Sequence, residues 1–242
     1  MTETLGDRLA IEATDIAKHY GHFPALRNVS MNLPAGSFLT LFGRNGAGKT
    51  TFLKVASTLA RPTSGHLRIN GYEVTEAPEE ARRQIGLLSH NSYVYRDLSP
   101  LENLRFFGRL YGLKEAEDGL TELLSRVGLG RRLNDPVRTF SRGLLQRVGL
   151  ARVMLHRPRV LLLDEPYTGL DAHAVGILNE MLDEAVAEGR TVVLTTHDLE
   201  IGLRAATRVD IIDRGRIVYS GTADAPETRT AYATYIQETR KP

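Results

Sequence analysis

The sequence predicts an α/β fold in which a parallel sheet carries helices on both faces, with an antiparallel β part ahead of it and a helical insertion within it. Three observations predict it. In the last third, the runs RVLLLD, TVVLTT and RVDIID are short, apolar and β-branched, and a helical stretch near Ala174 to Glu188 separates the first two. Such runs are consistent with buried parallel strands, and strands alternating with helices imply a doubly covered sheet. From Leu9 to Gly43 the chain reads as short β segments broken by turns, and from about Asn91 to Arg157 it turns mostly helical.

The elements follow in order. LAIEATDIAKHYG comes first, then LRNVSMNLPAG with alternation across Val29, Met31 and Leu33, then SFLTLFG. A helix is expected from Lys49 to about Leu59, closed by the turn sequence RPTSG. HLRINGYEV reads as a hairpin strand turning at Asn70-Gly71. Ser99-Pro100-Leu101-Glu102 has a serine cap, proline at the first helical position and glutamate at the third, so a capping box should open a helix running to about Gly112. A second helix is expected from Glu115 to Val127, stopped by Gly128. A third should run from Leu144 to about His156, with Leu145, Val148, Arg152 and Leu155 along one side. The stretch from Ala223 to Pro242 is polar with scattered tyrosines and reads as a short terminal helix without chemistry of its own.

Composition narrows the function classes. The chain has 242 residues, 42% hydrophobic and 25% charged, enough for one large domain or a core with a sizeable insertion, and for a substantial apolar interior. Its formal net charge is only +2, so no strong field points to nucleic acid or anionic lipid. The pairs Arg82–Arg83 and Arg131–Arg132 read as solvated surface. No cysteine is present, which excludes disulfides, thiolate zinc sites and cysteine catalysis. The first seven residues lack the basic and apolar regions of a signal peptide, and no apolar run approaches the ~20 residues that span a bilayer. A cytoplasmic chain is expected, without direct membrane insertion.

Gly43-Arg44-Asn45-Gly46-Ala47-Gly48-Lys49-Thr50 matches G-x-x-x-x-G-K-[ST] without a gap, between an apolar strand and a helix. Glycines let the backbone curl so that successive N–H groups face phosphate oxygens, and the helix N-terminus that follows favours negative charge. Lys49 is placed to reach β- and γ-phosphates and the Thr50 hydroxyl to ligate Mg²⁺. VLLLD ends in Asp164 at the carboxyl end of a buried strand, where open α/β sheets bind ligands. Asp164 then suits Mg²⁺, directly or through water, and Glu165 suits a group that orients or deprotonates an attacking water. His197, after TVVLTT, again sits at a strand end, in reach of a γ-phosphate and that water.

These residues resemble those of the ABC-type ATPases. Besides Gly43 to Thr50 and Asp164-Glu165, a signature-like TFSRGLLQR runs from Thr139 to Arg147, followed by VGLARVMLHRP. TGLD at Thr168 to Asp171 is similar to the family's D-loop, and His197 in TTHD to its switch histidine. Tyr20 in AKHYG matches the aromatic that stacks on adenine, and Thr51 completes the nucleotide-binding string. The resemblance covers residues 20 to 197.

It implies a single P-loop NTPase domain over 1–242 with a RecA-like parallel core. The core would take 1–90 and 158–242, including an N-terminal antiparallel β subdomain, and 91–157 would form a helical signature subdomain. It also implies ATP and Mg²⁺ as cofactors and hydrolysis that powers a transmembrane permease subunit. In a head-to-tail homodimer or paired ATPase, Ser141, Arg142 and Gly143 would close on the other subunit's nucleotide. Independently of the family, Ser141 should cap the helix that follows, and capping and anion binding use the same helix end.

Two departures stand out. FSRGL replaces the common LSGGQ, so Ser141 and Gly143 remain, Arg142 replaces glycine and the glutamine is lost. Arg142 could add a charge-assisted bond toward the partner's nucleotide or face solvent. In the Q-loop, IGLLSHNSYVYRDLSPLENL places His90 where glutamine is usual, with Asn91 beside it, and either side chain offers an acceptor. Both departures resemble the branch of haem exporters of cytochrome c maturation and related drug-export ATPases, which implies export.

Overall fold

The computed structural model describes residues 8–114 and 117–238. Two sheets organise it. The first has order β2-β1-β4-β5, from β1 (Leu9–Tyr20), β2 (Phe23–Pro34), β4 (Ser64–Ile69) and β5 (Tyr72–Glu73), all antiparallel. The second has order β10-β9-β3-β8-β7-β6, from β3 (Phe38–Phe42), β6 (Ile85–Leu88), β7 (Val160–Asp164), β8 (Thr191–Thr196), β9 (Arg208–Asp213) and β10 (Arg216–Thr222). Its strands pair in parallel except β10, which runs antiparallel to β9.

Strand alternation sorts side chains into separate cores. Val160 and Leu162 of β7 join a cluster with Leu39, Leu41, Phe52, Leu53 and the apolar residues of β1, β2 and β4. That cluster wraps α1 (Lys49–Ala56) and lies between the two sheets. Leu161 and Leu163 face the opposite core, with Phe38, Leu178, Met181 and Leu182. A third cluster joins Phe42, Val209 and Ile211 to Tyr235. Every residue of β3, β7 and β8 is buried, as expected for strands covered on both faces.

Local chemistry explains the ends. Asn70 (φ 48) and Gly71 (φ 84) are both left-handed, the type I′ turn that a two-residue hairpin between Ile69 and Tyr72 requires. The Ser99 Oγ accepts from the Glu102 N–H at 3.2 Å while the Glu102 carboxylate accepts from the Ser99 N–H at 2.8 Å, so α3 (Pro100–Leu110) begins on a complete capping box. α4 (Glu117–Arg126) ends where Leu129 N–H returns to the Leu124 carbonyl at 2.8 Å; the expected start at Glu115 lies outside the described residues. α5 (Arg142–Met154) starts earlier than Leu144 because Ser141 caps it. α1 stops short of Leu59, with Thr58 in the left-handed region. α6 (Ala172–Ala187) bridges β7 and β8.

Several elements carry no clear signal in the sequence. The two first strands are 12 residues each rather than short segments, because bulges let one ribbon bend without ending. α2 (Pro78–Arg83), β6, α7 (Leu199–Leu203) and β10 are short, and tertiary contacts decide such pieces more than local propensity does. α8 (Pro226–Glu238) closes the described chain.

The edge strand β6 is held from α5 and from the turn that follows it. Arg152 Nη2 donates to the Leu87 carbonyl at 2.8 Å, and His156, one helical turn on, meets the Ile85 carbonyl at 3.0 Å. Tyr111 stacks on the His156 ring at 4.0 Å. Burial lowers the His156 pKa from 6.5 to about 4, against the opposing pull of the Ile85 carbonyl. The unfolded chain therefore binds this proton at a higher pH than the folded one. The stabilisation is complete above the unfolded value and lost as pH falls through the folded one. Between pH 7 and 4 the wild type should lose about 2–3 kcal/mol more than His156→Gln in urea unfolding. Equal losses would refute this role.

Candidate active site

Parallel pairing in the order β3-β8-β7 sets three carboxyl strand ends side by side. Each is followed by one of the candidate segments: Gly43 to Thr50 after β3, Asp164-Glu165 at the end of β7, His197 after β8. Residues more than a hundred positions apart therefore meet at one edge.

The phosphate loop packs tightly against its surroundings. Gly48 caps α1 at φ 117, and a Cβ there would lie 2.9 Å from the Ala25 carbonyl oxygen, so only glycine fits. Ala25 belongs to the same strand as Phe23, the pairing partner of Tyr20 in β1. Tyr20 is 47% exposed, with the Lys18 ammonium 5.0 Å from its ring centre. Arg44, Asn45 and Gly46 are exposed, Ala47 is buried and Thr51 is half-buried in the first turn of α1.

Lys49 is buried at 5% exposure, and its Nζ donates to the Gly43 carbonyl at 2.5 Å and lies 3.3 Å from Glu165 Oε1. The Thr50 hydroxyl donates to Asp164 Oδ2 at 2.8 Å, and the Thr195 hydroxyl to Asp164 Oδ1 at 2.8 Å. Asp164 itself is only 2% exposed. Thr195 also accepts the Glu165 N–H on its hydroxyl, at 3.1 Å. Glu165 holds φ 50, a left-handed conformation that costs a non-glycine residue on the order of 1 kcal/mol or more. His197 Nδ1 lies 3.1 Å from Glu165 Oε2. The structure so brings Lys49, Thr50, Asp164, Glu165 and His197 into one connected cluster. Thr195 joins them without being evident from the sequence; its one signal is the pair of threonines ending TVVLTT.

The remaining candidates form a second group. Ser141 Oγ accepts from Leu144 N–H at 3.4 Å, and Ser141 and Arg142 are exposed. Arg142 Nη2 lies 3.4 Å from His90 Nδ1, and its stem passes over Gly169. A Cβ on Gly143 would lie 3.3 Å from the Gly169 carbonyl. Arg142 and His90, one from each departure from the family pattern, therefore touch each other. Asn91 is exposed and accepts from Ser89 Oγ through its carbonyl at 3.0 Å. Asp171 caps α6 by accepting from Ala174 N–H at 2.7 Å and pairs with Arg147 at 3.2 Å. The Ala174 bond, then Arg147, lower its pKa.

A glycine-lined loop opening into a helix, a lysine on that helix, and an acid pair at the carboxyl end of β7, across β8 from the strand that leads into the loop, define a phosphate-loop nucleoside triphosphatase. A sequence profile described as "ABC transporter" matches residues 26–168. The daunorubicin resistance ATP-binding protein DrrA3 of Streptomyces coeruleorubidus is 36% identical over 223 residues, 91% of this chain and 71% of its own length. A solved ATP-binding subunit of an ABC transporter superposes with TM-score 0.87 at 32% identity, over 96% of this chain and 100% of that one. The dimeric post-hydrolysis state of the ATP-binding cassette MJ0796, bound to ADP and Pi, superposes with TM-score 0.78 at 26% identity, over 89% of this chain and 99% of that one. The chain belongs to the ABC transporter family, as its ATP-binding and ATP-hydrolysing subunit.

Proposed function

We propose that this ATPase drives export through a separate transmembrane permease, from the inner face of the cell membrane, as one half of an ATPase pair. The observation that carries the ATPase part is the connected cluster at the strand ends. Backbone N–H groups from Gly46 to Thr51 face the phosphates, Lys49 balances the β- and γ-phosphate charge, and Tyr20 stacks on adenine. The Thr50 hydroxyl and the Asp164 carboxylate are hard oxygen donors held 2.8 Å apart, a pair that fits Mg²⁺ alongside phosphate oxygens and water. Bound there, Mg²⁺ supplies charge neutralisation at the β- and γ-phosphates.

Glu165 accepts a proton from, or orients, the attacking water, and His197 holds that carboxylate and the γ-phosphate in register. Thr195 keeps Asp164 and the Glu165 backbone in place from the intervening strand. Ser141, Arg142 and Gly143 close on the nucleotide of the paired subunit, and Asp171 lies on the loop that meets the partner. His90 or Asn91 fills the Q-loop role. The division into a core of 1–90 and 158–242 and a helical signature subdomain of 91–157 follows from the same reading.

The permease contact falls on the helical segment and the residues around Tyr93 and Tyr95, which are 44% and 51% exposed, Tyr95 beside Phe106 and Phe107. Exposed aromatics of this kind suit docking by short apolar helices. No helix among the described residues is long and apolar enough to cross a membrane. Export is supported by a relative named for drug resistance. Affinity isolation from detergent-solubilised membranes of the native host should yield a polytopic membrane protein that raises the ATPase rate. Recovery of ribosomes or nucleic acid instead would overturn the transport reading.

A further inference from the structure

Tyrosines at 232 and 235 lie three residues apart on α8 and so share a helix face. That face is turned to the active site. The Arg44 N–H, in the phosphate loop, donates to the Tyr235 hydroxyl at 2.8 Å, and Tyr235 is only 6% exposed. The Tyr232 hydroxyl donates to the His197 carbonyl at 2.6 Å. The Tyr232 ring also packs on Phe42 at 5.0 Å, and Phe42 is the last residue before the loop.

The helix itself is tied down. Thr228, fully buried, donates to the Thr222 carbonyl at 2.7 Å and shares a hydrogen bond with Tyr219 at 2.8 Å. Arg229 pairs with Glu200 of α7 at 2.7 Å. Burial raises the pKa of both tyrosines, so both remain phenols at neutral pH. Each can keep its hydrogen bond.

We propose that Tyr235 and Tyr232 are positioning residues of the ATPase: Tyr235 holds the start of the phosphate loop for nucleotide binding, and Tyr232 holds the His197 backbone for hydrolysis. This rests on the site reading above. Neither tyrosine need touch nucleotide. Tyr235 acts through the Arg44 peptide, whose orientation sets the donors that follow it. Tyr232 acts through the carbonyl of the residue whose ring meets Glu165. One short helix thereby couples two of the three strand ends that build the site.

Replacing each hydroxyl alone tests this, because phenylalanine keeps the ring packing. In the full chain, Tyr235→Phe should raise the Mg-ATP dissociation constant about fivefold with kcat within about twofold of wild type. Tyr232→Phe should lower kcat about fivefold with ATP affinity unchanged. A merely structural role would lower the melting temperature in both without that split. Affinity and kcat both near the wild-type values in both variants, or the same change in both, would overturn the proposal. Lys49→Ala, measured alongside, separates the two readings. Lost binding there with unaltered tyrosine variants refutes only the positioning role, whereas retained binding there refutes the site.

Discussion

Glu165→Gln is expected to slow ATP turnover by ~10²–10⁴ while leaving nucleotide binding near the wild-type level. The side chains are nearly isosteric, so the left-handed turn at φ 50 and the backbone bond to Thr195 should survive. What disappears is a carboxylate that can accept a proton. Its surroundings suit that role, because the side chain is 11% exposed, with the Lys49 ammonium at 3.3 Å and the His197 ring at 3.1 Å. An amide in that place can still hold water but cannot take its proton. Single-turnover hydrolysis together with fluorescent-nucleotide binding measures both quantities. Hydrolysis at the wild-type rate would remove Glu165 from the mechanism.

Lys49→Ala acts on the earlier step. Hydrogen bonds from a charged donor to phosphate contribute about 1.5–3 kcal/mol each, so ATP affinity should fall by at least ~10-fold and hydrolysis with it. The lysine is buried against the loop it serves, and its Nζ bonds to the Gly43 carbonyl across the loop. Removing it therefore also loosens the ring of amides that should face the phosphates. Unchanged affinity for Mg-ATP, by calorimetry on the folded variant, would sink the cradle assignment. A variant that binds weakly but unfolds at the wild-type temperature would locate the defect in the site rather than the fold.

Much of this was legible from short strings. The Asn70-Gly71 turn, the Ser99–Glu102 capping box and the Ser141 cap each depend on residues within a few positions, and each lies where its chemistry points. The three apolar runs of the last third are strands, TVVLTT and RVDIID with the expected limits and RVLLLD without its first residue. Less was visible where a partner comes from afar. Nothing in RVGLARVMLHRP reveals that Arg152 and His156 serve an edge strand some 70 residues earlier. The C-terminal stretch, read as a helix without chemistry, does form α8, but its tyrosines reach the phosphate loop and His197. The contact between Arg142 and His90 was equally hidden, although each position stands out in the sequence as a departure of its own.

By itself the sequence determined the local devices: a loop that must turn on glycine before Lys49, helices that start on their caps, and strands apolar enough to be covered on both faces. Only the tertiary structure decided that β8 lies between β3 and β7, and hence that Thr195 braces Asp164 and that Thr50, Glu165 and His197 meet at one edge of the sheet. The physical reason is range. Caps and turns are settled by hydrogen bonds a few residues long, whereas strand order is chosen by burying both faces of the sheet at once, a choice that every segment of the chain makes together.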